Sequence, residues 1–165
     1  MSVVLARVDN RLVHGQILSA WVPALNIDCL IVLDDEAAAN TLVRSAMEIA
    51  IPPDVQFEVY PVARAAEALA SIAPKRRALI LLRDVSDAVR AIDAGLTLSE
   101  LNLGNVHYSH GRAPITQAVY LSADEVAKLE GLAARKVSVE VKTLPSDMPI
   151  NLAEVGRRVA QARPG

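Results

Sequence analysis

The apolar positions of this chain change period several times along its length. Short runs rich in Val, Ile and Leu fall at 3–8 (VVLARV), 28–33 (DCLIVL), 55–60 (VQFEVY), 77–82 (RALILL), 100–103 (ELNL), 117–121 (QAVYL) and 137–143 (VSVEVKT). Each has the length of a strand. CLIVL and ALILL are apolar at every position, as expected of strands covered on both faces, whereas SVEVKT alternates and reads as an edge or half-exposed strand. Between these runs the spacing becomes helical, through Ile17, Leu18, Trp21, Val22 and Leu25, then Leu42, Val43, Ala46, Met47 and Ala50. A third helix carries Val85, Ala88, Val89 and Ile92, with Gly95 as its stop. Ser122 followed by Glu125 is a capping box opening a helix through Val126, Leu129 and Leu132, and a last helix spans about 151–162.

Strand–helix alternation of this kind predicts an α/β fold: one three-layer domain over 1–165, with a mostly parallel central sheet and helices on both faces. No linker, repeat or low-complexity segment divides the chain. In such sheets the functional crevice lies at the carboxyl ends of the strands. Two polar loops are expected there: 9–15 after the first strand, and LGNVHYSHGR (103–112) after the fifth, with Gly104 and Gly111 bracketing a surface loop.

Composition narrows the function. The 165 residues include 17 basic and 19 acidic side chains, a formal net charge of −2, and 3% aromatics. That is too balanced for a basic nucleic-acid face and too poor in aromatics for base stacking. The single Cys29 lies in an apolar run, which excludes an intramolecular disulfide and a Cys-rich zinc site and reads as a small buried hydrophobe. No signal peptide or membrane-length apolar run is present, so a cytoplasmic protein is expected.

The first loop carries the chemistry. Arg7, Asp9, Arg11, His14 and Gly15 crowd a connection that needs only turn residues. His14 should sit at the start of the following helix, where free amides and the dipole favour an anion. Its imidazole is a candidate nucleophile. Arg7 and Arg11 offer forked donors suited to phosphate oxygens. Asp9 is placed either to fix an arginine or to accept one ring N–H of the histidine and leave the other nitrogen to attack. Gly15 would let a transferred group approach the backbone. These are the parts of a phosphoryl acceptor. A surface loop with ordinary ion pairs is the competing reading. Nucleotide fingerprints and a serine-hydrolase elbow are absent, and a zinc site from His14, His107 and His110 lacks any HExxH-type spacing.

The string RVDNRLVHGQILSAWVPALN resembles the opening of the IIB subunits of the mannose/fructose/sorbose family of the bacterial phosphotransferase system. LIVLDDEAA, SAMEIAIPPDVQFEV, LNLGNVHY and VEVKTLPSDMP continue the resemblance in order. It implies a phosphoryl carrier: a IIA phosphohistidine gives its group to His14, on Nδ1, and His14 passes it to a sugar in a membrane IIC/IID transporter. It also implies about seven sheet strands, Arg11 as the phosphate-stabilising arginine, Asp9 as the family's conserved aspartate, and no cofactor or metal. Arg7 joins these as a catalytic candidate, and Gly15, Gln16, Gly104, Asn105 and His107 are the binding candidates. Asn10, Asn105–Val106 and Ser109–His110 depart from residues common in relatives, which bears on docking and on which sugar is used. The resemblance further implies a free-standing IIB held peripherally at the inner membrane through IIC/IID, and a homo-oligomer is compatible with it. A regulatory module of the same fold, with its phosphorylation read by another protein, is the alternative, followed by a simple anion-binding domain.

Overall fold

A computed structural model describes residues 3–162. The strands are β1 (Val3–Asp9), β2 (Cys29–Leu33), β3 (Gln56–Tyr60), β4 (Ala78–Leu82), β5 (Glu100–Asn105), β6 (Ala113–Pro114), β7 (Tyr120–Leu121), β8 (Ser138–Val141) and β9 (Ile150–Asn151). A π-helical turn (Ile17–Trp21) runs into α1 (Val22–Ala24). The other helices are α2 (Asp35–Ala39), α3 (Thr41–Ala50), α4 (Ala65–Ser71, entered through a 3-10 turn at Val62–Arg64), α5 (Val85–Asp93), α6 (Ala123–Ala134) and α7 (Leu152–Ala162).

Seven strands form one sheet in the order β3-β2-β4-β1-β5-β8-β9, parallel except for β9, which runs antiparallel to β8. The fold is the three-layer α/β sandwich expected. β2 and β4 are buried at every residue. One face of the sheet packs Leu5, Leu30, Val32, Leu79 and Leu81 against Ile17, Trp21 and Ala37. The other packs Ala6, Val8, Ile31, Ile80 and Leu103 against Ala65 and Ala68 of α4, Ala88 of α5, Leu129 of α6 and Val155 of α7. Cys29 is fully buried, and burial pushes its thiol up to about 11, so it serves as core.

The expected capping box is present at Ser122 and Glu125. Gly95, at φ +102°, ends α5 in a Schellman motif, with Leu96 N–H donating to Ala91 O and Gly95 N–H to Ile92 O. Two expectations need correction. The run 117–121 is not a sheet strand: Tyr120–Leu121 pairs with Ala113–Pro114 in a separate antiparallel ribbon, and Val119 only bridges to Val106. The seventh sheet strand is instead the two-residue β9, too short to leave a period in the sequence. Helices α2 and α4 leave little trace in the sequence, because their inward residues are alanines (Ala37, Ala65, Ala68) that give a weak apolar period.

The topology fixes where chemistry can occur. β1 lies at the centre of the sheet, between β4 and β5. The connection after β1 crosses one face of the sheet and the connection after β5 crosses the other. Their starting points therefore part at the carboxyl ends of β1 and β5, leaving a crevice at a topological switch point.

Candidate functional site

At that crevice the loop after β1 is tightly specified. Leu12 N–H donates to Asp9 O at 2.9 Å, closing a turn, and Leu12 takes a left-handed φ of +55° with its side chain buried. Leucine rarely adopts this region, at a cost on the order of 1 kcal/mol or more. Burial of its side chain holds the strained turn in place. His14 directly precedes the helical run, and its carbonyl accepts from Ile17 N–H (3.1 Å) and Leu18 N–H (3.2 Å). The π-helical turn that follows is a feature that recurs at functional sites.

Asp9 is fully buried and is the centre of the site. Its Oδ2 accepts from His14 Nε2 (2.8 Å), Asn105 Nδ2 (2.9 Å) and Arg7 Nε (3.2 Å), and its Oδ1 accepts from Arg11 N–H (3.1 Å). Burial pushes the Asp9 carboxyl up. The hydrogen bonds from His14 and Asn105 and the charge of Arg7 outweigh burial and hold it below the ordinary carboxylate range. An ionised Asp9 is acceptor only, so His14 must donate from Nε2. In the neutral ring the lone pair then resides on Nδ1. Nδ1 has no hydrogen-bond partner among the described residues. The imidazole is thus held by one nitrogen with the other left unpaired.

Arg11 is exposed, and its guanidinium makes no hydrogen bond or ion pair among the described residues. It remains available to an anion. Arg7 does not. Its side chain is buried completely and all five N–H donors are engaged: Nε by Asp9, Nη1 by Asn102 Oδ1 (2.7 Å) and Lys142 O (2.9 Å), Nη2 by Gln16 Oε1 (3.2 Å) and Thr143 O (3.1 Å). Its Cζ stacks 4.8 Å from the Trp21 ring centroid. Burial pulls its pKa down from the ordinary value, with Asp9 opposing. A side chain with no free donor is not a phosphate clamp, and the expectation that Arg7 would hold an anion is corrected here.

Gln16 and Asn105 join the network, Asn105 Nδ2 also reaching Gln16 Oε1 at 3.3 Å. A Cβ on Gly15 would meet nothing within 4 Å, so open space lies over that residue. Gly104 and Asn105 prove to be the end of β5 rather than part of a surface loop. His107 is exposed, its carbonyl takes Arg112 Nη1 at 2.8 Å, and its imidazole does not enter the Asp9 network. Arg112 also pairs through Nε and Nη2 with both oxygens of Glu125, tying the second loop to α6.

The segment after β8 also belongs to the site, although no side chain in it marks it out in the sequence. Besides the two carbonyls that bind Arg7, Thr143 O accepts from Trp21 Nε1 (3.0 Å) and Thr143 Oγ1 donates to Gly104 O (3.3 Å). A cleft of about 490 Å³ opens beside it, lined by residues 116–118, 141–143, 147, 148 and 150. The rule that loops converge at the carboxyl ends of parallel strands applied to β8 as much as to β1 and β5, and was the available signal.

Among the described residues no group of three or more His, Cys, Asp or Glu side chains could hold a metal ion, and no helix is long and apolar enough to cross a membrane. A parallel α/β sheet with a carboxylate-held histidine at its switch point accords with a group carrier. The family described as "PTS system sorbose subfamily IIB component" matches residues 3–163, and the chain belongs to it. It is 30% identical to the fructose-specific EIIB component of the phosphotransferase system of Bacillus subtilis (strain 168), over 98% of this chain and 99% of that protein. It is 27% identical to the mannose-specific EIIAB component of Escherichia coli (strain K12), covering 94% of this chain but 48% of that longer protein. The crystal structure of an N-acetylgalactosamine IIB component from Streptococcus pyogenes superposes with a TM-score of 0.86 at 25% identity, covering 93% of this chain and 97% of that one. The protein is therefore a IIB component of a sugar phosphotransferase system.

Proposed function

We propose that His14 carries the phosphoryl group, taking it from a phosphohistidine on a IIA protein and giving it to a sugar bound by membrane IIC/IID partners. The observation that carries this reading is the asymmetry of the imidazole: Nε2 is fixed on Asp9 at 2.8 Å while Nδ1 has no partner. In the forward step the Nδ1 lone pair forms the new N–P bond as the donor's N–P bond breaks, and the departing pair returns to the donor ring. The Nε2 proton stays on His14, with Asp9 balancing the positive charge that develops on the ring. Arg11 supplies an unengaged guanidinium for the equatorial oxygens, whose charge is what the site must stabilise. Transfer onward reverses these roles, with a sugar hydroxyl as acceptor and its proton released.

The mannose-specific relative is named as an EIIAB component, which supports a IIA protein as the donor. Relatives named for fructose, mannose and N-acetylgalactosamine make a hexose or amino-sugar the expected acceptor. In this reading the chain works as one domain over 1–165, reaches the membrane only through its partners, and needs no cofactor. The test combines this protein with phosphorylated IIA and with membranes containing IIC/IID. Sugar phosphate should form only when all components are present. Formation at the same rate without this protein would overturn the proposal.

A further inference from the structure

Arg7 and Gly104 meet at a defect in the sheet. Along β1 and β5 the register pairs Arg7 with Asn102 and Val8 with Leu103, then Asp9 with Asn105. Gly104 is the extra residue of a bulge, which is uncommon between parallel strands. Two consequences follow from that single inserted position. A Cβ on Gly104 would stand 1.8 Å from Arg7 Cζ and 2.0 Å from Nη2, so the guanidinium occupies the space that any other residue would need. The bulge also resets the alternation of β5. Leu101 and Leu103 face one core, and without the bulge Asn105 would follow them there. With it, Asn105 shares the side of Asn102 and donates to Asp9 at 2.9 Å.

The guanidinium in turn gathers every strand end of the site. It bonds Asp9 of β1, Asn102 of β5, Gln16 ahead of the π-helical turn and the carbonyls of Lys142 and Thr143 after β8, and it stacks on Trp21. None of these partners is exchanged for another without rotating the fork, because the five N–H directions of guanidinium are fixed in one plane.

We infer that Arg7 and the Gly104 bulge form one positioning unit, which sets the Asp9 carboxylate and through it the tautomer and direction of the His14 ring. Arg7 acts on the histidine without touching the transferred group. This inference rests on His14 being the phosphoryl acceptor, but the first readout below does not require transfer.

The test is a cycle of Arg7→Lys, Gly104→Ala and the double variant, each checked for a cooperative unfolding transition. Imidazole nitrogen NMR of the unphosphorylated protein should show the Nε2–H tautomer in the wild type. Arg7→Lys and Gly104→Ala should each shift His14 toward a tautomer mixture. Transfer from phosphorylated IIA should slow by about tenfold or more in kcat with KM for IIA little changed, as expected for misorientation of a reacting group. Because Gly104→Ala acts by displacing the guanidinium, the double variant should be no slower than the worse single variant. Folded single variants with wild-type tautomer and wild-type kcat would overturn the inference, as would losses that multiply in the double variant. If Arg7→Lys fails to fold, Gly104→Ala decides alone by the same tautomer and kcat criteria. A protein in which the tautomer shifts as described but His14 is never phosphorylated would contradict the proposed function and leave the positioning unit standing.

Discussion

Two parallel strands of this sheet lead to a buried aspartate paired with an arginine, and the two sites differ in what they leave over. Asp34 directly follows β2 and caps α2. Arg83, after β4, donates to both its oxygens at 2.8 Å, and Ala37 N–H caps onto Oδ2 at 3.0 Å. Burial pushes Asp34 up, and the Arg83 hydrogen bonds, the Ala37 amide and the Arg83 charge outweigh it. That site is closed: the pair satisfies itself and opens a helix. Asp9 ends β1 with a similar balance, yet one of its partners is a histidine with an unengaged nitrogen, beside an exposed arginine with an unengaged guanidinium. A buried carboxylate serves stability in the first case. In the second it fixes one ring nitrogen of a histidine whose other nitrogen, also buried, has no partner among the described residues. The residue types are nearly the same, and the remaining valence separates structure from chemistry.

Exchanging the defects should separate the two sites most sharply. His14→Ala should abolish phosphoryl transfer while changing stability by only about 1 kcal/mol, because it removes one hydrogen bond from Asp9. Asp34→Ala should do the reverse, costing about 1–3 kcal/mol through the lost cap and ion pair and leaving transfer intact at 25 °C. Denaturant titration and a transfer assay on the same preparations check both. Asp9→Asn should fall between, with transfer slowed by about a hundredfold, since an amide cannot hold the ring and balance its charge as a carboxylate does. Rates like the wild type would reduce Asp9 to the role of Asp34.

Arg11→Lys keeps the charge and loses the fork, so transfer should slow by about tenfold, near 1.4 kcal/mol of barrier, with an unchanged melting temperature. A fall in melting temperature at full rate would make Arg11 structural. The smallest effect concerns acid. Asp9 and Asp34 both lie below the ordinary value of 3.8, so their contributions are complete above that pH and are lost as pH falls through their native values. Asp34→Asn should therefore lose less stability than the wild type between neutral pH and pH 3 in urea titrations. An equal loss would remove Asp34 from the acid response.

What the sequence discloses follows from which atoms do the work. CLIVL and ALILL read as buried strands because every side chain is apolar, and Arg11, Asp9 and His14 stand out in the sequence because the groups that make the candidate site are their side chains and, for Arg11, a side chain without a partner among the described residues. Lys142 and Thr143 contribute carbonyl oxygens to Arg7, and a carbonyl leaves no trace in residue identity. Arg7 looks like an anion ligand by residue type, yet its five donors are all engaged inside the protein. An arginine two residues after Leu5, inside an otherwise apolar strand, points into the same layer as that leucine and must be fully paired there. Period-2 alternation alone carried that information. The swap of 117–121 for β9 in the sheet was not legible, since pairing partners of two-residue strands are set by tertiary contacts.

The central claim is that a fixed imidazole presents Nδ1 to the phosphoryl group, and nitrogen NMR of the phosphorylated protein measures this directly. After transfer from phosphorylated IIA, the phosphorus coupling should appear on Nδ1 of His14 alone, with Nε2 protonated toward Asp9, and neither His107 nor His110 should carry label. Phosphorus on Nε2, or on any residue other than His14, would contradict the account.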